Sequence, residues 1–326
     1  MKITRRDFLK ASGAVVVALS VPASGLIKLQ KVKALEGGQP VVWLQGQSCT
    51  GCSTSLLNSI YYTTIDDLLL NTIDLEYHPT VMAAAGDLAV SAAEAALNKG
   101  GYVLVVEGAI PTAEDGKYCY LWPGMTALDG VKTFSRNAAF IMAVGTCAAY
   151  GGIPGGSPNP TGAEGVSEIL GRKTEVINIP GCPAHPDWIV GTIAHLLTYG
   201  EAPKLDTLGR PKDYYQGKVH SNCPNRKKFN EQDIFAGGMS ELACLDKLGC
   251  KGKETDADCP IRKWNSPAQG EYGVNWCIGA RNPCQGCTDP GFPDSMSPFY
   301  TLEEARRRKK EEEMAAAVKG LEAALV

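Results

Sequence analysis

Twelve cysteines and four histidines are the residues of this 326-residue chain best suited to binding metal or carrying redox chemistry. Cys49 and Cys52 form a C-x-x-C pair inside "GQSCTGCSTS" (46–55). Such a pair can be a redox dithiol, half of a zinc site, a haem attachment point or two ligands of an iron–sulfur cluster. Attachment of c-type haem needs a histidine directly after the second cysteine, but Ser53 follows Cys52 and Thr288 follows Cys287. A lone dithiol has no use for Cys147 in "AVGTCAAYGG" or Cys182 in "IPGCP". The meaning of the pair depends on what brings the other thiols to it.

Five apolar runs do this. "PVVWLQG" (40–46), "TIDLEYH" (72–78), "YVLVVEG" (102–108), "AAFIMAVG" (138–145) and "EVINIPG" (175–181) read as strands. Their apolarity is nearly continuous, as in strands covered on both faces of a parallel sheet. "TSLLNSIYYTTIDDLLL" (54–70) reads as largely helical and "DLAVSAAEAALNKG" (87–100) as an Ala-rich helix. Strands separated by helices predict a doubly wound α/β domain. Cys49 and Cys52 lie just past the first run, Cys147 past the fourth and Cys182 past the fifth. The C-terminal ends of parallel strands open on one edge, where such folds bind ligands, so these four thiols should converge. Gly46, Gly51, Gly145 and Gly181 flank them and should let the backbone approach a bulky inorganic group. Four thiolates suit zinc and an iron–sulfur cluster equally well.

Beyond residue 200 the sequence is rich in Gly and Pro, has little periodicity and holds seven cysteines in the next 90 residues. Such a segment needs staples in place of an apolar core. "HSNC" supplies His220 and Cys223, which with Cys244 and Cys250 make a second set of four. An imidazole in place of a thiolate removes one negative charge and tends to raise a cluster's potential. Cys259 with Cys277, Cys284 and Cys287 of "NWCIGARNPCQGC" makes a third set, and Cys119 is left over as a buried thiol. The alternative is an exported protein stapled by structural zinc or disulfides, with no redox role.

Composition narrows the class. Twelve cysteines in 326 residues fall well below the share in small disulfide scaffolds. Residues 1–34 hold seven Lys/Arg and one Asp, leaving 25 cations against 34 acids, a formal −9, in the remainder. That balance argues against nucleic acid as a partner. "TRRDFLK" before "ASGAVVVALSV", with a small-residue site at "VKA" (32–34), describes a signal peptide over residues 1–34. Paired Arg5 and Arg6 followed by Phe8 and Leu9 resemble a twin-arginine signal, a route for proteins already folded around a cofactor. No apolar stretch is long enough for a membrane anchor, so the exported protein is expected to be soluble or peripheral. "TLEEARRRKKEEEMAAAVKGLEAALV" (301–326) reads as a charged helical tail.

Together these residues resemble the small subunit of nickel–iron hydrogenases, over nearly the whole chain. The matching segments are the leader, "WLQGQSCTGC" (43–52), "LEYHPTVM" (75–82), "VEGAIP" (106–111), "AVGTCAAYGGIP" (143–154), "NIPGCPAHPDWIVGT" (178–192), "HSNCP", "CLDKLGCKG" (244–252) and "CQGCTDPGFPDSMSPFY" (284–300). The resemblance implies a flavodoxin-like domain over 39–200 and an irregular cluster-binding domain over 201–300. It implies a proximal [4Fe–4S] cluster on Cys49, Cys52, Cys147 and Cys182, and a distal [4Fe–4S] cluster on His220, Cys223, Cys244 and Cys250. The medial cluster would use Cys259, Cys284 and Cys287. Many relatives have Pro where this chain has Cys277 and hold [3Fe–4S]; a fourth thiol predicts [4Fe–4S], as in the nickel–iron–selenium branch. Gly51 stands where oxygen-tolerant members carry an extra cysteine, so ordinary oxygen sensitivity is expected.

The implied activity is electron transfer. Hydrogen is split at a nickel–iron centre in a separate large subunit, an obligate partner, and nothing in this chain offers a site for nickel. Electrons leave near His220 to a carrier, either multihaem cytochrome c or a quinone-reducing membrane partner. "PNRKKF" (224–229) places cations there.

Overall fold

The computed structural model describes residues 38–171, 174–226, 235–239, 241–299 and 314. The signal peptide, the tail over 301–326 save Met314, and Lys227, Lys228 and Phe229 of the cationic stretch lie outside the described residues. The chain divides into two compact units. The first runs through Asp213 and takes back Ser266–Glu271; the second holds Tyr214–Asn265 and continues from Tyr272.

In the first unit the five apolar runs form β1 (Gln39–Gln45), β2 (Ile73–Tyr77), β3 (Val103–Glu107), β4 (Phe140–Val144) and β5 (Ile177–Ile179). They make one parallel sheet in the order β2-β1-β3-β4-β5. That is the flavodoxin-like order, and the winding reverses between β1 and β3, where such sheets open a ligand crevice at their C-terminal ends. All five residues of β3 are buried, as a strand covered on both faces requires.

Helices cover the sheet. α1 (Gly51–Leu56) follows β1, α2 (Asp87–Lys99) follows β2, and α3 (Ala127–Phe134) precedes β4. α3 begins where the Thr126 hydroxyl accepts the Asp129 amide at 3.0 Å, and it buries Ala127, Leu128, Val131 and Phe134 along one stripe. These side chains pack with Val42, Leu44, Leu104 and Val106 of the sheet and with Ala93 and Ala96 of α2. α4 (Thr146–Tyr150) follows β4, and α5 (Pro186–Tyr199), with Pro at its start, packs on α1.

The helix expected over 54–70 is shorter in the structure. α1 stops at Leu56, and helical structure resumes only at Ile65–Asp67, passing into a π-turn over Leu68–Thr72. The intervening Ile60-Tyr61-Tyr62-Thr63-Thr64 is β-branched and aromatic, with poor helix propensity. Asn58 and Ser59 divert their side chains to the Thr54 and Thr63 carbonyls, at 2.8 Å each.

The second unit has little regular structure. It contains 3₁₀ turns at Val219–Asn222 and Asp246–Leu248, the four-residue helix α6 (Cys259–Arg262), and isolated bridges such as Lys218 to Asp256 and Trp264 to Asn275. Polar ties hold it. Arg262 donates to Asp258 at 2.8 Å while lying over the Tyr214 ring, and Lys218 pairs with Asp256 at 2.9 Å.

Candidate metal centres

The first site grows from the loops after β1, β4 and β5. Hydrogen bonds lock these loops to one another. The Ser55 hydroxyl of α1 donates to the Ala184 carbonyl at 2.6 Å, and the Ala184 amide donates to the Cys52 sulfur at 3.5 Å. Thr146 donates its amide to the Gly181 carbonyl at 3.0 Å and accepts the Gly181 amide on its hydroxyl at 2.9 Å. The loops that carry the four thiols are therefore tied to one another. Burial raises the Cys52 thiol well above its ordinary range, followed by the charge of Glu107 and those of Cys147 and Cys182. Burial pushes Cys147 up to about 11, with Cys182 and Cys49 adding to it, and raises Cys182, where Cys49 again contributes.

Glycines shape the space at the sulfurs. A Cβ on Gly145, whose φ is +88°, would lie 2.6 Å from the Cys52 sulfur. One on Gly152 would lie 3.0 Å from the Cys147 sulfur and 2.8 Å from its amide nitrogen. Gly51 stands similarly against Cys49, at 3.0 Å. Gly46 and Gly181 were expected to act the same way, but they serve backbone packing. A Cβ on Gly46 would meet the Ala109 carbonyl at 2.4 Å, and one on Gly181 the Pro183 carbonyl at 2.7 Å.

Beside this site lies a polar hub that spacing and motif did not single out. The Glu107 carboxylate, at the end of β3 and 2% exposed, accepts five hydrogen bonds. Ser48 and the Cys52 amide donate to one oxygen at 3.0 Å each. Trp43 and Gln45 donate to the other at 3.1 Å, and Ser53 at 2.5 Å. His78 stacks on Trp43 and accepts the Thr80 and Val81 amides on Nδ1, so Nε2 carries the proton and donates it to Ser53 at 3.1 Å. Burial lowers His78 to about 4 despite the charge of Glu107, so its imidazole is neutral. A glutamate inside the apolar run "VLVVE" was the available signal for this hub.

In the second unit the third set of thiols converges on Cys259. Its thiol is raised well above the ordinary value by burial and then by Cys287, with Cys284 and Cys277 contributing. Cys277 and Cys284 are raised by burial as well. In the second set, burial pushes Cys250 up to about 12, and Cys244 lies within range of both Cys250 and Cys223. The His220 amide donates to the Gly252 carbonyl at 2.8 Å, and its carbonyl accepts the Cys223 amide at 3.2 Å. Burial lowers the His220 imidazole, with Lys253 and Arg226 acting in the same direction. The two sets adjoin, since the Cys284 amide donates to the Cys250 sulfur at 3.4 Å.

Cys119 is partly buried against the α/β core, and burial raises its thiol. None of the twelve cysteines is in a disulfide.

The donor sets fit a large inorganic group. Buried thiols held above their ordinary range become ligands when a metal displaces their protons. Thiolate donors of this kind, bordered in the first set by glycines at the Cys49, Cys52 and Cys147 sulfurs, are those an iron–sulfur cluster takes.

A parallel α/β sheet with four thiols at its ligand-binding edge, followed by an irregular unit holding seven thiols and a histidine, defines a class of protein whose donors suit metal. The NADH ubiquinone oxidoreductase 20 Kd subunit family matches residues 49–196. The C-terminal family of the NiFe/NiFeSe hydrogenase small subunit matches 215–300, and the twin-arginine signal family matches 2–22. The periplasmic [NiFeSe] hydrogenase small subunit of Desulfomicrobium baculatum is 40% identical, over 93% of this chain and 100% of that protein. The periplasmic [NiFe] hydrogenase small subunit of Solidesulfovibrio fructosivorans is 42% identical, over 91% and 93%. The solved [NiFeSe] hydrogenase of Desulfovibrio vulgaris Hildenborough superposes with a TM-score of 0.74 at 44% identity, covering 82% of this chain and 98% of that one.

The chain belongs to the NiFe/NiFeSe hydrogenase small-subunit family. It is an exported, periplasmic subunit of an oxidoreductase. Among the described residues no helix is long and apolar enough to cross a membrane.

Proposed function

We propose that this chain conducts electrons from hydrogen oxidation in a separate large subunit, through three [4Fe–4S] clusters, to an external carrier. Cys49, Cys52, Cys147 and Cys182 would hold the proximal cluster. Cys259, Cys277, Cys284 and Cys287 would hold the medial one, and His220, Cys223, Cys244 and Cys250 the distal one. Residues 39–200 would then form the flavodoxin-like domain of the proximal cluster, 201–300 the domain of the other two, and 301–326 a charged tail.

The observation that supports this reading is that Cys52 and Cys259 are each raised by burial and by neighbouring thiols, with glycines against the sulfurs of the first set. When bound, such clusters supply reversible one-electron storage at potentials set by net charge, hydrogen bonds to sulfur and solvent exposure.

The protein's own residues prepare each site. Glu107 fixes the Cys52 amide and hence the pitch of the C-x-x-C turn. The Ala184 amide donates to the Cys52 sulfur, which favours its anionic form. Burial, followed by the charges of Lys253 and Arg226, lowers the His220 imidazole, which favours the neutral form whose nitrogen lone pair can bind iron. Leu57, just past α1, and Ile153, just past Cys147's helix, are 45% and 53% exposed. Large apolar side chains bared beside the first site favour it as the face covered by the large subunit.

The acceptor would dock near His220, and a multihaem cytochrome c is the proposed carrier. The test is hydrogen-driven reduction by the purified complex, with cytochrome and a soluble quinone offered separately. Rapid cytochrome reduction is expected. Reduction of quinone alone would move the acceptor to a membrane partner, and an iron-free, sulfide-free protein holding zinc would end the electron-transfer reading.

A further inference from the structure

Thr255 is 2% exposed and has no role in holding either metal set, yet it touches both. Its hydroxyl oxygen lies 3.7 Å from the Cys284 sulfur. Its carbonyl accepts the Val219 amide at 2.9 Å, at the head of the turn that carries His220 and Cys223. The neighbouring Lys251, next to Cys250, donates its amide to the Cys284 carbonyl at 2.7 Å. One buried threonine therefore sits at the seam between the two sets of ligands.

Its hydroxyl hydrogen is available to the sulfur. With Cys284 protonated, the thiol donates to Thr255 Oγ1, while the hydroxyl donates to the Lys251 carbonyl at 2.7 Å. That carbonyl already accepts the Glu254 amide at 3.0 Å and the Thr255 amide at 3.1 Å. Rotating the hydroxyl away leaves it satisfied twice over. When Cys284 gives up its proton to become a ligand, its sulfur turns from donor to acceptor. The rotated hydroxyl can then supply a charge-assisted bond. A donor aimed at a ligand sulfur stabilises the more negative, reduced form of the centre that the sulfur holds.

We propose that Thr255 is a positioning residue that raises the reduction potential of the medial centre through its hydroxyl bond to the Cys284 sulfur. This rests on the reading of Cys259, Cys277, Cys284 and Cys287 as one cluster site. The hydroxyl adds no ligand; it biases the step between two neighbouring centres from the side of the medial one.

The experiment is a potentiometric titration of the purified holoenzyme followed by electron paramagnetic resonance, on wild type, Thr255→Val and Thr255→Ser. Valine keeps the branched shape and removes the hydroxyl; serine keeps the hydroxyl and removes the methyl. The medial midpoint should fall in the valine variant by about a tenfold change of its one-electron equilibrium, about 59 mV. It should return to the wild-type value in serine, with the proximal midpoint unmoved in both. If valine fails to assemble, Thr255→Ala against Thr255→Ser gives the same contrast. Equal medial midpoints with and without the hydroxyl would overturn the proposal, as would equal shifts in serine and valine. Wild-type enzyme with no cluster signals would instead overturn the cluster reading itself.

Discussion

Replacing Gly145 with alanine tests whether the first set of thiols is built around a bulky group. The new Cβ would lie 2.6 Å from the Cys52 sulfur, whereas non-bonded heavy atoms rest at about 3.5–4.0 Å, so something must move by about 1 Å. The sulfur has little room to retreat. Cys52 is 7% exposed, its amide is held by Glu107 at 3.0 Å, and its sulfur faces the Ala184 amide at 3.5 Å. Metal ligation tolerates errors of only about 0.2 Å. Alanine at φ +88° and ψ 156°, a region essentially confined to glycine, adds roughly 1–3 kcal/mol of backbone strain. Gly124→Ala separates the two effects, because Gly124 has nearly the same φ, +85°, with nothing within 4 Å of its Cβ. The assay is iron and acid-labile sulfide per chain on complex purified without air. Gly145→Ala should lose about a third of both, one cluster of three, while Gly124→Ala keeps the full complement. Full iron and unchanged midpoints in Gly145→Ala would refute the packing of the site around that glycine.

Cys277→Ala should leave the fold intact and lower the medial centre by about one iron, measured by metal analysis and the appearance of a three-iron signal; an unchanged spectrum would make Cys277 a bystander. Glu107→Gln must turn an amide donor toward Trp43 and Gln45 on one side or the Cys52 amide on the other. It should cost about 1–3 kcal/mol per unsatisfied donor, seen as a drop of several degrees in the thermal midpoint, and an unchanged midpoint would deny the hub. His78, lowered to about 4 in the fold from an ordinary 6.5, makes stability depend on pH. Its contribution is complete above pH 6.5, falls as the unfolded chain takes up a proton below that value, and levels off near pH 4 after a loss of about 3 kcal/mol. Unfolding titrations of wild type and His78→Gln should therefore diverge in pH sensitivity over that window; parallel curves would contradict it.

The sheet was legible because its strands are short, continuously apolar runs, and the cysteines just past their ends marked the ligand edge. α1 and its sequel were less so. The Leu and Ile content of 54–70 suggested a helix, but Asn58, Ser59 and the β-branched run after them settle for turns. The paired short strands Tyr120–Trp122 and Met125–Thr126 carry too few residues for any periodicity. Spacing grouped the seven second-half cysteines with His220 into two fours but concealed how closely they adjoin. The Cys284 amide on the Cys250 sulfur, and Thr255 beside both, depend on loop geometry with no repeat in the sequence. Glu107 and His78 were visible as polar residues at strand ends, but their five- and three-partner networks needed the fold.

The most direct test of three four-ligand cluster sites is iron and acid-labile sulfide per small subunit, corrected for the iron of the partner's active centre, on anaerobically purified complex. About twelve of each is the predicted result and includes Cys277 as a ligand. Zinc in their place, with no labile sulfide, would contradict the electron-transfer role.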